Sequence, residues 1–331
     1  MEATDVEALE RAVASVTDEG RRLAVASVAS VAKKYQAQPA ALDGSLSRLL
    51  PRLVGSAAAR LKAGESIDLV CEACYELCCA RGLKRAARWF PHEARDLGPC
   101  FAALAAAQDE EGPWKTRYAL FLWLGMLLKI PFDVATVVDG SDAFLDLVYA
   151  RCRRGLGDPG PCRDAAAWCF SMMLTRKDVP ATYLARLVDE ANGLVSSRSA
   201  DFDPFSASGA LKTIAAALKL GDRARSLEVA AACLDATAPC FAEDDERRGL
   251  RKLAVKLVGR VGYAALLRPK TRPWCYARGR RTLLVGDEAA ANLAKATKAQ
   301  QQHHDKEEDA DKEEDEDEEE DEDEEEDEDE E

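Results

Sequence analysis

The chain has 331 residues, with 45 basic and 60 acidic side chains and a formal net charge of −15. Residues 305–331 alone contain 24 acidic residues and two lysines, so residues 1–304 carry a net charge of +7. The acidity is therefore a property of the tail. The net charge of the whole chain does not exclude an acidic partner for residues 1–304. The tail has almost nothing apolar to bury and its like charges repel, so we expect it to be disordered.

Several classes of protein find no support in the sequence. The first ten residues are acidic and lack the apolar core of a secretory signal, and no apolar run reaches the roughly 20 residues of a membrane span. The 11 cysteines are an odd number and lie within apolar helical patterns, which favours reduced thiols in a cytoplasmic protein. No phosphate-binding loop, dinucleotide fingerprint, nucleophile elbow or zinc-protease motif is present. We therefore expect no catalytic activity, cofactor or metal.

Nearly every segment is predicted to be helical, because alanine and leucine abound and strand-like alternation is absent. Glycine and proline mark the breaks, and Asp222 and Ser141 are predicted N-caps. The predicted helices cover residues 5–16, 20–35, 41–62, 65–80, 93–107, 114–129, 141–154, 161–176, 180–194, 207–219, 222–236, 245–265 and 273–285.

Taken in pairs, the predicted helices begin anew near residues 20, 65, 114, 161, 207 and 245. This interval is close to the roughly 40–47 residues of HEAT or armadillo repeats. We therefore predict an all-α, HEAT/armadillo-like α-solenoid of about six helix pairs over residues 1–290, followed by a disordered acidic tail over 291–331. A non-repeating helical bundle is the alternative.

The stretch 114–133 is the predicted centre of this arrangement. Residues 119–128 are apolar without a break, and Trp114, Tyr118, Leu122, Gly125 and Leu128 follow a helical repeat. A helix that is apolar on all faces is either buried or in a membrane, and this one is too short to span a bilayer. The sequence therefore predicts a buried helix that ends before Pro131.

The chain contains five groups of short segments: KYQAQP at 34–39; RGLK at 81–84 with FPHE at 90–93; WKTRY at 114–118 with LWL at 122–124 and IPFD at 130–133; RDAAA at 163–167 with TRKDV at 175–179; and LRKL at 250–253 with VKLV at 255–258 and WCYARG at 274–279. In this order they resemble hallmark segments of the tubulin-folding cofactor D family. The resemblance covers about residues 31–285. Members of that family are much longer, so we expect this chain to correspond to their N-terminal portion.

The resemblance implies a fold of HEAT-like repeats and a chaperone function without catalytic residues. It implies binding of β-tubulin after its release from the chaperonin and assembly of the α/β-tubulin heterodimer. The implied partners are β-tubulin, cofactors C and E and a small Arf-like GTPase, and together the cofactors stimulate GTP hydrolysis by tubulin. A location in the cytoplasm, with microtubules or centrosomes as sites of association, follows from the same resemblance. The alternatives are a generic helical-repeat adaptor and an acidic-tailed binder of basic proteins.

Two groups of residues have the right chemistry for a site but fit a structural role better. Cys71, Cys74 and Cys78 have a spacing that could supply thiolates to zinc, but no second ligand pair follows, and the same spacing is typical of a buried helix stripe. His92 lies between helices beside Pro91 and has no nucleophile or acid partner in the sequence pattern.

Cationic and aromatic residues are the predicted partner-binding positions. Lys115 and Arg117 lie on the first turn of the buried helix and have a structural alternative, in which they bridge neighbouring repeats. The basic stretch near residues 268–281 suits an acidic protein partner such as tubulin, with nucleic acid, the acidic tail or a plain repeat element as alternatives. The predicted contact residues are Lys115, Arg117, Arg268, Lys270, Arg272, Trp274, Tyr276 and Arg278.

Overall fold

Helices account for most of the chain that this computed structural model describes, which is residues 1–138, 140–197, 202–241 and 247–266. No β-strand occurs within those ranges, and all of them belong to one compact unit, Met1–Arg268. The α-helices of the described residues are α1 (Ala3–Glu19), α2 (Arg22–Lys34), α3 (Asp43–Ala63), α4 (Asp68–Arg81), α5 (Leu83–Ala87), α6 (Leu97–Asp109), α7 (Trp114–Leu127), α8 (Val134–Val137), α9 (Ser141–Gly155), α10 (Cys162–Leu174), α11 (Thr182–Ser196), α12 (Pro204–Leu220), α13 (Arg223–Glu228), α14 (Ala230–Thr237) and α15 (Arg251–Leu266).

The long helices pack in six pairs: α1 with α2, α3 with α4, α6 with α7, α9 with α10, α11 with α12, and α14 with α15. The second helix of each pair also packs against the second helix of the next pair, which forms a row of α2, α4, α7, α10, α12 and α15. We call this the central row. Its helices begin at residues 22, 68, 114, 162, 204 and 251, close to the six predicted starting points. The predicted all-α, HEAT/armadillo-like solenoid is thus confirmed, but the predicted pairing is shifted by one helix, because each predicted starting point is the second helix of an observed pair and not the first.

Several local predictions differ from the structure. The predicted helix 222–236 is two helices, α13 and α14, which are separated at Val229, where φ is −99° and ψ is 0°. The short helices α5 and α8 were not expected, and the predicted helix 273–285 lies outside the described residues.

Asp222 is an N-cap, since its carboxylate accepts bonds from the amides of Ala224 and Arg225. The Ser141 prediction is wrong, because Gly140, in a left-handed conformation, occupies the N-cap position and Ser141 begins the helix.

Helix α7 is the buried helix that the sequence predicts. Every residue from Tyr118 to Leu128 is buried, because α4, α6 and α10 cover three sides and α5 covers part of another. The loop after α5 adds a polar contact, since the indole N–H of Trp123 donates to the carbonyl of Pro91 at 3.1 Å. No helix in the described ranges combines the length and the apolar character needed to cross a bilayer.

A glycine sets the separation between α7 and α10. A Cβ built on Gly125 would lie 2.3 Å from Cζ3 of Trp168 and 3.2 Å from the Cα of Cys169. The Trp168 ring and the backbone of α10 therefore occupy the space that any larger residue would need. Close approach of the two helices at this point allows α10 to cover one whole side of α7.

We predict that Gly125→Ala lowers the free energy of unfolding by about 2 kcal/mol, because the added methyl group forces Trp168 or the α10 backbone to move. Urea denaturation of the full chain, followed by circular dichroism, measures the change. The matched control is Gly193→Ala on α11, where nothing lies within 4 Å of the new Cβ. The control substitution should raise the free energy of unfolding by up to about 1 kcal/mol, because alanine has a higher helix propensity than glycine. Equal effects of the two substitutions would contradict the close packing of α7 against α10.

Candidate functional site

Lys115 connects two helices of the central row. Its ammonium donates to the carboxylates of Glu72 (3.2 Å) and Glu76 on α4, and it lies 5.1 Å from the ring centroid of Tyr75 and 5.8 Å from that of Trp114. Burial alone lowers the pKa of an ammonium, but here the two carboxylates outweigh it and raise the pKa of Lys115. The side chain is only 23% exposed, so much of its bonding capacity serves the α4–α7 contact.

Arg117 points toward a different neighbour. Its guanidinium donates to the carbonyl of Gly112 at 2.6 Å and to the carboxylate of Asp158, just before α10, at 3.2 Å. The side chain is 21% exposed. These contacts fit the structural alternative, in which Arg117 bridges neighbouring repeats. Whether Lys115 and Arg117 also contact a partner remains a prediction.

The rest of the predicted contact set lies outside the described residues. These residues are Arg268, Lys270, Arg272, Trp274, Tyr276 and Arg278.

Arg176, in the TRKDV segment after α10, holds the end of α7. Its guanidinium donates to the carbonyls of Leu128, Ile130 (3.2 Å) and Phe132 (2.8 Å), just after α7 ends. These carbonyls have no helical partner, because the helix stops at Leu127. The Arg176 side chain is only 8% exposed, so its donors serve these carbonyls and not the solvent.

Asp178 completes this contact. Its carboxylate accepts two bonds from Arg176, at 2.8 and 2.7 Å, and one from the amide of Val134, the first residue of α8, at 2.8 Å. Burial raises the pKa of this carboxyl, but the Arg176 and Val134 bonds outweigh it, so its pKa lies below the usual value. The Arg176–Asp178 pair therefore fixes the connection from α7 to α8. The sequence shows the two residues but not that they bind a segment about 45 residues earlier.

The same type of contact recurs in the later repeats. Arg225 donates to the carbonyls of Arg176 and Lys177, again one repeat earlier in the chain. Arg247 donates to the carbonyls of Val195, at 2.7 Å, and Ser197 at the end of α11. Arginine suits this role because its planar group offers five donors in a rigid arrangement. The helix ends of successive repeats are thus joined by arginines as well as by apolar packing.

The RDAAA segment at the start of α10 lies at another contact between repeats. Asp164 accepts from Lys212 of α12 at 3.1 Å, while Arg163 lies over the ring of Phe205 at 5.5 Å. The three alanines, 165–167, are buried. Asp164 therefore takes part in the packing contact between α10 and α12.

A family comparison agrees with the geometry of these segments. Residues 32–194, from the end of α2 through most of α11, match the model of a family described as tubulin-specific chaperone D-like, ARM repeat. These residues belong to the tubulin-specific chaperone D-like ARM-repeat family. The resemblance to cofactor D is thereby confirmed for four of its five groups of segments, and the fifth, at 250–279, lies beyond the match. No solved structure matches the chain.

Within this ARM-repeat region the cysteines are mostly part of the core. Cys71, Cys74 and Cys78 lie on the buried side of α4, and burial raises the pKa of each thiol well above its usual value. The pKa of Cys162 rises to about 12 for the same reason. The three thiols of α4 thus occupy the buried helix stripe that their spacing predicts. Cys79, adjacent to the buried stripe, is exposed.

We predict that Arg176→Ala destabilises the ARM-repeat region by about 3 kcal/mol, since it removes the guanidinium that pairs with Asp178 and donates to three backbone carbonyls. Chemical denaturation of the full chain measures the loss. Arg22→Ala on the exposed surface of α2 is the control and changes stability by less than about 0.5 kcal/mol.

The same pair makes stability depend on pH with a definite sign. The pKa of Asp178 in the folded state is lowered. Its contribution to the free energy of unfolding is therefore complete above the unfolded-state pKa of about 4, and it is lost as the pH falls through the folded-state pKa. The stability difference between wild type and Asp178→Asn should therefore be constant from pH 7 to 5 and shrink below about pH 4. A difference that grows as the pH falls would contradict the assignment.

Proposed function

We propose that this chain is a tubulin-folding cofactor of the D type, which binds β-tubulin after chaperonin release and assists assembly of the α/β-tubulin heterodimer. The observation that carries the proposal is the family match over residues 32–194. The arginine and aspartate of the TRKDV segment and the tryptophan of the LWL segment make long-range contacts in this fold. The segments that carry the resemblance therefore fit together as parts of one repeat architecture.

The architecture supports a protein as the ligand. Stacked helix pairs present successive helix faces over a long surface, which suits the binding of another folded protein. The motif residues, by contrast, are largely engaged within the chain: Lys115, Arg117 and Arg176 all donate to neighbouring repeats. We propose that the contact with tubulin is made by outward-facing residues, while the motif residues keep the repeats in register.

The proposed activity is non-enzymatic. In this account GTP hydrolysis takes place on tubulin and is stimulated when this chain acts together with cofactors C and E, with a small Arf-like GTPase as a further partner. The chain supplies a binding surface and no reacting group of its own. Its proposed place is the cytoplasm, including sites where microtubules are organised.

We predict that the purified full chain binds β-tubulin newly released from chaperonin and retards it on a native gel, whereas newly released α-tubulin migrates unchanged. The reason is that the proposed partner is the β subunit before assembly. Radiolabelled subunits translated in vitro report the complex directly. The Gly193→Ala variant, with its substitution at an exposed position of α11, is the control for non-specific effects of mutation.

Two results would contradict the proposal. One is the absence of any complex with β-tubulin at micromolar concentrations of the folded chain. The other is GTP turnover by the chain alone, without tubulin or the partner cofactors, which would place catalysis in this protein.

A further inference from the structure

The connection from α7 to α8 is fixed through its backbone but exposed in its side chains. Arg176 donates to the carbonyls of Ile130 and Phe132. Asp178 accepts from the amide of Val134. Ile130 is buried, whereas the side chain of Phe132 is 59% exposed. The polar contacts that hold this connection therefore use its backbone and leave the phenyl ring facing solvent.

A fixed backbone distinguishes this phenyl ring from an ordinary exposed apolar side chain. Single exposed apolar residues are common on protein surfaces and indicate nothing by themselves. Phe132 differs because Arg176 binds its own carbonyl and Asp178 binds the amide two residues later. Pro131 restricts the backbone immediately before it. A partner that buries the ring would restrict little additional backbone freedom, and preorganised aromatic residues of this kind are strong anchors at protein interfaces.

A second exposed apolar side chain lies on the same edge of the central row. Leu220, the last residue of α12, is 54% exposed. A Cβ built on the next residue, Gly221, would lie 3.4 Å from Cγ2 of Thr175. Thr175 directly precedes Arg176, so the end of α10 contacts both the loop that carries Phe132 and the end of α12.

Two lysines of this edge have side chains that serve no contact within the fold. Lys129 lies three residues before Phe132, and Lys177 lies between Arg176 and Asp178. Both lysine side chains are exposed, and within the described residues neither ammonium has a hydrogen-bond or ion-pair partner. Lys177 therefore differs from the two residues beside it, whose side chains hold the connection from α7 to α8.

These side chains form a surface that we call the edge patch, defined as Lys129, Phe132, Asp133, Lys177 and Leu220. Its single anion, Asp133, is exposed and makes no side-chain cap on α8. Two unpaired lysines near an apolar anchor favour carboxylates on a partner. The carboxylate of Asp133, next to the ring, opposes contact with an anionic lipid surface or a phosphate backbone. The chemistry of the edge patch therefore fits a folded protein better than a membrane or a nucleic acid.

We propose that the edge patch contacts the folded protein partner of this chain, with Phe132 in an apolar pocket of the partner and Lys129 and Lys177 beside carboxylates at the rim of that pocket. This inference rests on the proposed function, in which the partner is β-tubulin. The Arg176–Asp178 pair then has two effects, since it joins neighbouring repeats and also presents the phenyl ring to the partner.

The test compares β-tubulin binding by two double variants of the full chain. Phe132→Ser with Leu220→Ser removes the apolar area. Lys129→Glu with Lys177→Glu reverses the charge of the two lysines. Both variants retain the contacts of Arg176, because its guanidinium binds backbone carbonyls in this loop and no side chain of the loop.

The controls carry the same types of change at exposed positions outside the edge patch. Leu23→Ser with Leu147→Ser matches the apolar variant, at positions of α2 and α9 that are 85% and 51% exposed. Arg22→Glu with Lys33→Glu, at two exposed positions of α2, matches the charge-reversed variant. Circular dichroism and melting temperature verify that all four variants are folded, and the single variants Phe132→Ser and Lys177→Glu replace a double variant that is not.

Both edge-patch variants should weaken β-tubulin binding at least about tenfold, while both controls bind as wild type does. Added salt should weaken wild-type binding more than binding of the charge-reversed variant, since salt screens the attraction that the reversal removes. Unchanged affinity in either edge-patch variant, or an equal loss in its control, would overturn this inference but leave the proposed function intact. No binding by wild type would overturn both.

A second set of measurements addresses other ligands. Wild type and the edge-patch variants are mixed with vesicles of phosphatidylcholine and phosphatidylserine, and with a single-stranded DNA oligonucleotide, and each protein alone is examined by sedimentation. The inference predicts no difference between wild type and variants in these assays. Binding to vesicles or DNA, or self-association, that depends on the edge patch while β-tubulin binding does not would assign the patch to that other ligand and overturn the inference.

Discussion

The burial of α7 on all sides is the constraint on which the rest of the fold depends. A helix that is apolar on every face needs neighbours on every face, and α4, α6 and α10 provide most of the cover. No single helix pair can do this, so the constraint requires stacking of pairs. Gly125 allows α10 to approach closely enough, and Arg176 satisfies the carbonyls left where α7 ends. The central row follows from these conditions.

Much of this arrangement was predictable from the sequence, for a physical reason. Hydrophobic periodicity and glycine or proline breaks are local, so the all-α character and the start of each helix in the central row could be predicted. Which neighbour each helix pairs with could not. Contacts between residues some 45 positions apart are not local. Nothing in the sequence pattern assigns Arg176 to the carbonyl of Phe132 or Lys115 to Glu76. The split at Val229 and the cap at Gly140 depend on backbone geometry that composition does not reveal.

The predicted contact residues illustrate the limit of reading function from charge. Lys115 and Arg117 are conspicuous in the sequence because they are cations beside an apolar helix, yet both bond to neighbouring repeats. In the ARM-repeat region, the motif residues preserve the stacking of the repeats. Outward faces remain for the partner, and this division links the fold to the proposed chaperone function.

Hydrogen–deuterium exchange of the full chain, with and without β-tubulin, tests this division most directly. The account predicts that amides of α7 and α10 exchange slowest in the free chain and that their exchange does not change when β-tubulin is added, while peptides from helices with outward-facing sides gain protection. Fast exchange in α7 of the free chain would contradict its place as the buried centre. Protection by β-tubulin confined to α7, with none in helices that have outward-facing sides, would contradict the separation of structural and binding residues.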